Sequence, residues 1–408
     1  MSAPGRARRV LAQALLLAMA GCVQLATRLP PPQPPAQAPL LRLIGTATVP
    51  PLTRYGGTTV GGLSGIDYNA AQDTYLLISD DRSSHDPARI YTARLRYDAT
   101  ALAPPEFTGV HTLLHAGGRP YAPWLRARPG MDAPDAEAVR WVPGGAQFVW
   151  TSEGDFSRGF GPQLRVSRAD GAAVRDVTVP ARFTPQAGSG PRSNGTLEGL
   201  ALAPDGRTAW LSMELPWRQD GPPATPASGG APVRITAIDL VSGQALRQIA
   251  YPPDAVPQAR RLPWGPQMNG VSEILADGAH HLLVLERSYS AGAGFAARLY
   301  RIDTRAGSDT LALDALTPAN HHSPPKTLVA DFAALGLDVD NLEGMTWGPP
   351  LEDGAAWANG EAATPRRCVL VFVSDDNFNP AQVTQFIAAE YLDPQGGHGR
   401  CGTTTASP

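Results

Sequence analysis

Long apolar runs are missing from this chain of 408 residues, as are basic runs beyond the first few positions, metal-spaced cysteines and any heptad pattern. Each absence excludes something. The apolar stretch from Val10 to Ala20 is too short to cross a bilayer as a helix. A formal net charge of -3, with no basic run outside the N-terminus, gives no support for nucleic-acid binding. The 3 cysteines form neither a CxxC nor a zinc-ligand spacing. Without a periodic helical face, a helical partner interface is not expected. A serine nucleophile elbow is also disfavoured, because Ser64 in Gly62-Leu63-Ser64-Gly65 occupies a slot that holds Glu in three related segments. What the chain has is 42 glycines, 41 prolines and 43% apolar residues, a turn-rich composition that can bury a large core and points to an all-β fold.

The N-terminus carries Arg6, Arg8 and Arg9, then the short apolar stretch, then Ala20-Gly21-Cys22. This pattern predicts a signal peptide over residues 1–21. Small residues before a cysteine resemble a bacterial lipobox, with Met19 an unusual choice at its first position, so Cys22 is the expected lipidation site; the alternative is a plain signal peptide with an incidental cysteine. Residues 22–40, with Pro30-Pro31-Pro32-Gln33-Pro34-Pro35, read as a spacer from the membrane, and 41–408 as the folded domain. Export would place the protein on the periplasmic face of the envelope. Val23 in place of an Asp after the cysteine favours the outer membrane. Cys368 and Cys401 are then an even pair in an oxidising compartment, either joined as a disulfide or left as two thiols.

One pattern recurs five times: an apolar strand bearing Ser or Glu near its start, a turn, and a second apolar strand ending in carboxylates. The copies start at Leu63, Ala136, Leu197, Val271 and Leu342. A third alternating segment follows each, such as Val233 to Ile238, and often a fourth, such as Ala245 to Tyr251. Four strands per repeat is the blade of a β-propeller. The starts lie further apart than the about 40–50 residues of ordinary blades, so five blades with insertions are expected, and six are possible. Leu41 to Thr48 is expected to close the ring as the last strand of the final blade. A β-sandwich or an open repeat array is the competing architecture.

Within a copy, simple antiparallel counting places the two carboxylates opposite each other, Glu198 facing Glu214 about a turn at Gly206, and Glu137 facing Glu153 about Gly145. Like charges so placed ask for a cation, an arginine or a retained proton. In a propeller, Ser64, Glu137, Glu198, either Ser272 or Glu273, and Glu343 would ring the channel. Beside them would stand Asp80, Asp81, Glu153, Asp155, Glu214, Glu286, Asp375 and Asp376. Hard oxygens converging in this way suit calcium or another divalent metal. The expected ligands are Glu198, Glu214, Glu343, Asp375 and Asp376, with Asn194, Asn269 and Asn341 adding neutral oxygens. Glu137, Glu198, Glu343 and Asp80 are the catalytic candidates. Arg82, Arg158, Arg218 and Arg287 each follow a second-strand carboxylate and are candidates for binding an anionic substrate. The competing view is that these acids cap blade turns and pair with the arginines. His85 is the one histidine near the expected rim.

The order of Leu63-Ser64-Gly65-Ile66-Asp67-Tyr68 with Ile78-Ser79-Asp80-Asp81-Arg82, Asn269-Gly270-Val271-Ser272-Glu273 with Leu285-Glu286-Arg287, and Asn341-Leu342-Glu343-Gly344 with Ser374-Asp375-Asp376-Asn377 resembles the exported bacterial family described as esterase-like activity of phytase, the phytase-like proteins. The resemblance spans Leu41 to Tyr391 and implies phosphoester hydrolysis of a small phosphorylated or ester substrate. A metal-dependent lactonase or esterase is the second enzymatic expectation, and a lipid-anchored binding or scaffold propeller the third. A monomer is expected.

Overall fold

The computed structural model describes residues 39–128, 131, 133–351 and 367–392. The expected signal peptide, Cys22, the proline-rich spacer up to residue 38 and Cys401 lie outside the described residues. Among the described residues there is no α-helix; strands form five four-stranded sheets and one small hairpin.

Each large sheet is a blade. The first holds Leu63–Asn69, Thr74–Ser79, Arg89–Arg94 and Glu106–Thr112; the second Ala136–Trp141, Gln147–Ser152, Gln163–Arg168 and Ala173–Val177. The third holds Leu197–Leu202, Thr208–Met213, Val233–Asp239 and Ala245–Tyr251; the fourth Gln267–Asp277, His281–Ser290, Gly294–Asp303 and Lys326–Asp331. The fifth combines Asn341–Leu351, Arg367–Asp375 and Thr384–Tyr391 with Leu41–Val49. That last strand pairs antiparallel with Thr384–Tyr391, from Leu41 opposite Tyr391 to Val49 opposite Thr384, so the ring closes with strands from both ends of the described chain, as expected from the sequence. Every first strand packs against the first strands of both neighbouring blades, and the fifth blade's meets the first's. This is a β-propeller of five blades. The long spacing between repeats is taken up by loops, not by a sixth blade.

Sequence pattern follows position in the blade. Thr74–Ser79 is buried at every position but its first, because both faces of an inner strand meet neighbouring blades, whereas no residue of the outer Glu106–Thr112 is fully buried. Inner strands therefore read as continuous apolar runs and outer ones as weak alternation. The core lies between blades: Ile66, Leu77 and Tyr91 of the first pack with Val371, Val373 and Phe386 of the fifth. Each such side chain contributes roughly 1.5–3 kcal/mol of apolar burial. The hairpin turn at Pro204-Asp205-Gly206 forms where expected, with Gly206 at φ +64°, a left-handed conformation that glycine adopts without strain.

Candidate functional site

The register of the inner hairpins corrects the simple counting. Leu197 pairs with Met213, but Gly199 pairs with Ser212, so Glu198 is an extra residue bulged out of the ladder. The same shift occurs at Ser64, where Leu63 pairs with Ser79 and Gly65 with Ile78, at Glu343, between Leu342 and Gly344, at Ser272, between Val271 and Glu273, and in the segment holding Glu137, between Ala136 and Val139. A bulge re-aims a side chain that an unbroken ladder would hold against its partner strand. Glu198 and Glu214, and Glu137 and Glu153, are therefore not cross-strand pairs. Ser64, Glu137, Glu198, Ser272 and Glu343 form one set of equivalent bulge positions, and the residues just past the second-strand partners of the residue before each bulge form another: Asp80, Glu153, Glu214, Arg287 and Asp375.

The glycines that follow the bulges at Ser64 and Glu198 have a steric reason. A Cβ on Gly199 would lie 2.9 Å from the Ile274 amide nitrogen, and one on Gly65 would lie 2.7 Å from the Glu137 carbonyl oxygen, both on the neighbouring blade. The fourth blade departs twice. Val271 pairs with Glu286, which puts Arg287, not Glu286, in the slot that is acidic in the other blades. Glu286 is instead engaged by the Tyr251 hydroxyl at 2.6 Å, the Asp254 amide at 2.9 Å, the Asn269 side-chain amide at 2.7 Å and Lys326 Nζ at 2.7 Å. Asn269 is thereby committed to Glu286. Ser272 takes the bulge position, and Glu273, the alternative reading for that slot, is buried elsewhere.

Glu273 is met by Arg140 of the second blade, with Nη2 2.8 Å from Oε2. Its Oε1 accepts the Leu200 and Ile274 amides at 2.9 Å each. Arg140 Nη1 also donates to the carbonyls of Ile66 and Val139 at 2.8 Å, and Nη2 to that of Ile274 at 3.0 Å. One guanidinium thus ties together the first strands of blades 1, 2 and 4. Sequence reasoning did not single out Arg140; the available signal was a lone arginine in the otherwise apolar run Ala138-Val139-Arg140-Trp141.

A cavity of about 510 Å³ is lined by Asp80, Glu137, Glu153, Glu198, Glu343 and Asp375 together with Arg82, Arg287, Asn194 and Asn341. The carboxyls are deeply placed: Glu153 is 3% exposed, Glu214 1% and Asp375 1%. Burial dominates their protonation. It raises Glu153 to about 8, helped by the charges of Asp135 and Glu214, and Glu214 to about 7 against the pull of Arg287. Asp135 is raised to about 6 by burial although Arg82 opposes the shift. Glu137, Glu198, Asp80 and Asp375 are pushed well above the carboxylate range by burial and then by the charges of neighbouring carboxylates, and Glu343 is raised less because Arg287 and Asn341 offset its burial. Arg287, buried between Glu214 at 3.3 Å and Glu343 at 3.2 Å, is held more firmly charged than usual by those acids despite its burial.

Two oxygen triads emerge. One oxygen each from Asp135, Glu137 and Glu153 lie within 4.8 Å of one another, and so do one each from Glu153, Glu198 and Glu214. Glu153 belongs to both. Asp135 Oδ2 and Glu214 Oε2, and Asp80 Oδ1 nearby, are buried without a hydrogen-bond partner. Buried, unpartnered carboxylate oxygens in close groups are a donor set that fits a hard divalent cation. Asp135 went unrecognised in the sequence; its place two residues before Glu137 was the only hint.

The other expected residues fall on either side of the cavity wall. Arg82 bonds Asp135 at 2.8 Å and lines the cavity. Arg158 holds a loop by donating to the Trp124 and Ala127 carbonyls, its guanidinium 4.5 Å from the Trp124 ring centre, and Arg218 is exposed on a short turn; neither lines the cavity. Asp376 accepts the amides of Gly62 at 2.9 Å and Phe378 at 3.0 Å and acts as a loop cap. Asp81 is paired with Arg89 at 2.7 Å, and His85 stacks on Phe378 with ring centres 4.4 Å apart. Asn341 donates to Glu343 Oε1 at 2.8 Å and keeps its own buried side-chain oxygen unpartnered.

Fold and site together define a class: a five-bladed propeller whose central acids form oxygen groups suited to a hard cation, with two guanidiniums beside them. The chain belongs to the Phytase-like family, described as esterase-like activity of phytase, whose model matches residues 58–378, from the small hairpin before the first blade to the fifth blade. No curated protein matches the chain. Among solved structures it is similar to the Dos1 propeller, with 7% identity and a TM-score of 0.31 over 83% of this chain and 70% of that one. It is also similar to XC5397 of Xanthomonas campestris, described as a gluconolactonase, with 14% identity and a TM-score of 0.30 over 86% of this chain and 97% of that one.

Proposed function

We propose that this protein is a divalent-cation-dependent hydrolase of phosphoric esters that works at the acidic centre of the propeller. The observation that carries the reading is the pair of oxygen triads sharing Glu153, of which Glu137, Glu153 and Glu198 line one cavity with Arg82 and Arg287. Asp135, Glu137, Glu153, Glu198 and Glu214 would hold the cation, calcium being the first candidate. When bound, such a cation supplies positive charge for the transferred group and lowers the pKa of water. Arg82 and Arg287 orient an anionic group, a task suited to planar guanidiniums. Asp80, which lines the cavity and has a buried oxygen without a hydrogen-bond partner, is the candidate to take a proton from water. Glu343 holds Arg287 in position.

The test is calcium titration by calorimetry alongside phosphate release from phytate and from a simple phosphomonoester. Saturable binding with calcium-dependent release is expected, and Glu198→Gln or Glu343→Gln should lower turnover by about 100-fold or more, the scale of losing a group that acts in the transition state. Calcium binding with turnover of carboxylic esters or lactones, and no phosphate release, would favour the second reading, which the family description also supports. Binding of neither kind would leave a scaffold propeller.

Export and anchoring belong to the same proposal. Radiolabelled palmitate is expected to enter the wild-type chain and not Cys22→Ser, and equal labelling would remove the anchor. Cys368 is buried in the fifth blade, and its pairing with Cys401 is proposed with it.

A further inference from the structure

The second strands of the first three blades stop at Ser79, Ser152 and Met213, and the fifth blade's stops at Asp375, all at or one residue before the central acidic position. The fourth blade's continues past Arg287 to Ser290, and its partners lengthen with it, so three strands run on beyond the centre. On this overhang Met268 pairs with Tyr289, and Tyr289 with Phe295, the two rings 4.7 Å apart. Tyr289 lies two residues beyond Arg287 and so shares its face of the strand. All three side chains are half-buried and line the same cavity as the acids. The loop before the blade braces the overhang: Ser290 Oγ donates to the Gln258 carbonyl at 2.6 Å, and the Ala291 carbonyl accepts the Arg261 amide at 2.9 Å.

The cavity is therefore two-sided. One side is acidic, and its carboxylates outnumber the two guanidiniums that line it. The other is a short thioether and aromatic wall with no charge of its own. A polyphosphate gains nothing on the second side, whereas an ester with one anionic group for the guanidiniums and one apolar group for the wall matches both.

We propose that Met268, Tyr289 and Phe295 select esters carrying a single apolar or aromatic group beside the reacting centre. This specificity rests on the hydrolase reading above. The reaction is a plain hydrolysis: the oxygen of water bonds to phosphorus, the ester P–O bond breaks, and the water's proton ends on the departing alcohol.

The experiment has two arms, both on the calcium-loaded protein. In the first, kcat/KM is measured for methyl phosphate, phenyl phosphate and phytate, and for methyl and phenyl acetate. In the second, binding of methylphosphonate, phenylphosphonate, acetate and benzoate is measured by calorimetry, which requires no turnover. Phenyl is expected to exceed methyl by roughly tenfold in binding, the scale of an added aromatic contact. Phytate should be the poorest phosphoester. The phenyl-to-methyl ratio should collapse toward one in Phe295→Thr and in Tyr289→Thr, with melting temperatures confirming that both variants fold. Preference among the acyl and phosphoryl probes identifies which ester class supplies the reacting group. Equal binding of phenyl and methyl probes, a preference for phytate, or an unchanged ratio in both variants would overturn the proposal. Absence of all turnover with a phenyl preference in binding would overturn the hydrolase reading while upholding the selective wall.

Discussion

Glu153→Gln is expected to abolish calcium binding, lower turnover by about 100-fold or more, and at the same time raise the melting temperature of the cation-free protein. The two effects have one origin. Glu153 is the shared corner of both oxygen triads, so an amide there removes a charge from each. It can still accept the Thr196 amide, now bonded to Oε1 at 2.8 Å, so local geometry survives. Without a cation, the carboxyl is costly because burial and the charges of Asp135 and Glu214 raise its pKa to about 8, from 4.5 for the ordinary group. Between those values the unfolded chain releases the proton while the folded chain keeps it, so folded-state stability falls as pH rises through that window. Cation-free wild type should therefore melt lower at pH 8 than at pH 5. Glu153→Gln should narrow that difference and melt at least about 2 °C higher at pH 8. Calcium should raise the melting temperature of wild type most at pH 8 and that of Glu153→Gln hardly at all. A variant that loses stability along with activity would show that Glu153 is a structural acid.

Arg140→Met is expected to be the most damaging single change to stability. It strands the Glu273 carboxyl, fully buried with two backbone amides but no cation, and breaking one half of a buried ion pair typically costs about 3–5 kcal/mol. It also deprives the carbonyls of Ile66, Val139 and Ile274 of a donor, on three different blades. Burial already pulls the pKa of Glu273 up to about 7 with Arg140 present, which shows how little solvent reaches it. Thermal and urea denaturation should show the loss directly. The double variant Arg140→Met with Glu273→Gln should recover much of it, since the amide keeps an acceptor for Leu200 and Ile274 and removes the stranded charge. Recovery should stay incomplete because the three carbonyls remain without their donor. The idea fails if Arg140→Met alone lies within about 1 kcal/mol of wild type, the range of an ordinary substitution.

Much of the architecture was legible because inner strands of a propeller are buried on both faces. Leu76-Leu77-Ile78 and Val369-Leu370-Val371-Phe372-Val373 announce themselves as apolar runs, and the turns between them carry glycines with positive φ, such as Gly145 and Gly206. The closing strand was placed from topology alone, since a closed ring needs a strand from near the N-terminus to complete the last blade, and Leu41–Val49 pairs there. The acids were visible as a recurring set, because evenly repeated carboxylates beside apolar strands have no place in a core. Asp135 and Arg140 stayed hidden. Each is a single charged residue whose meaning comes from a different blade: Arg82 of the first for Asp135, and Glu273 of the fourth for Arg140.

Two matters were beyond any reading along the chain. Hairpin counting assumes one residue against one, and a bulge adds one without leaving a mark in the sequence, so the facing of Glu198 and Glu214 was misread while their membership in one site was not. The same bulge decides that Arg287 and not Glu286 joins the central set, and that Ser272 and not Glu273 stands at the bulge. By itself the sequence determined the repeat, the strand pattern within it and the pool of acids, because these depend on local periodicity and burial. Which acids share a cation-sized space, which arginines reach them and which blade overhangs the cavity were decided only by closing five blades into a ring, because those distances run between blades that the chain keeps far apart.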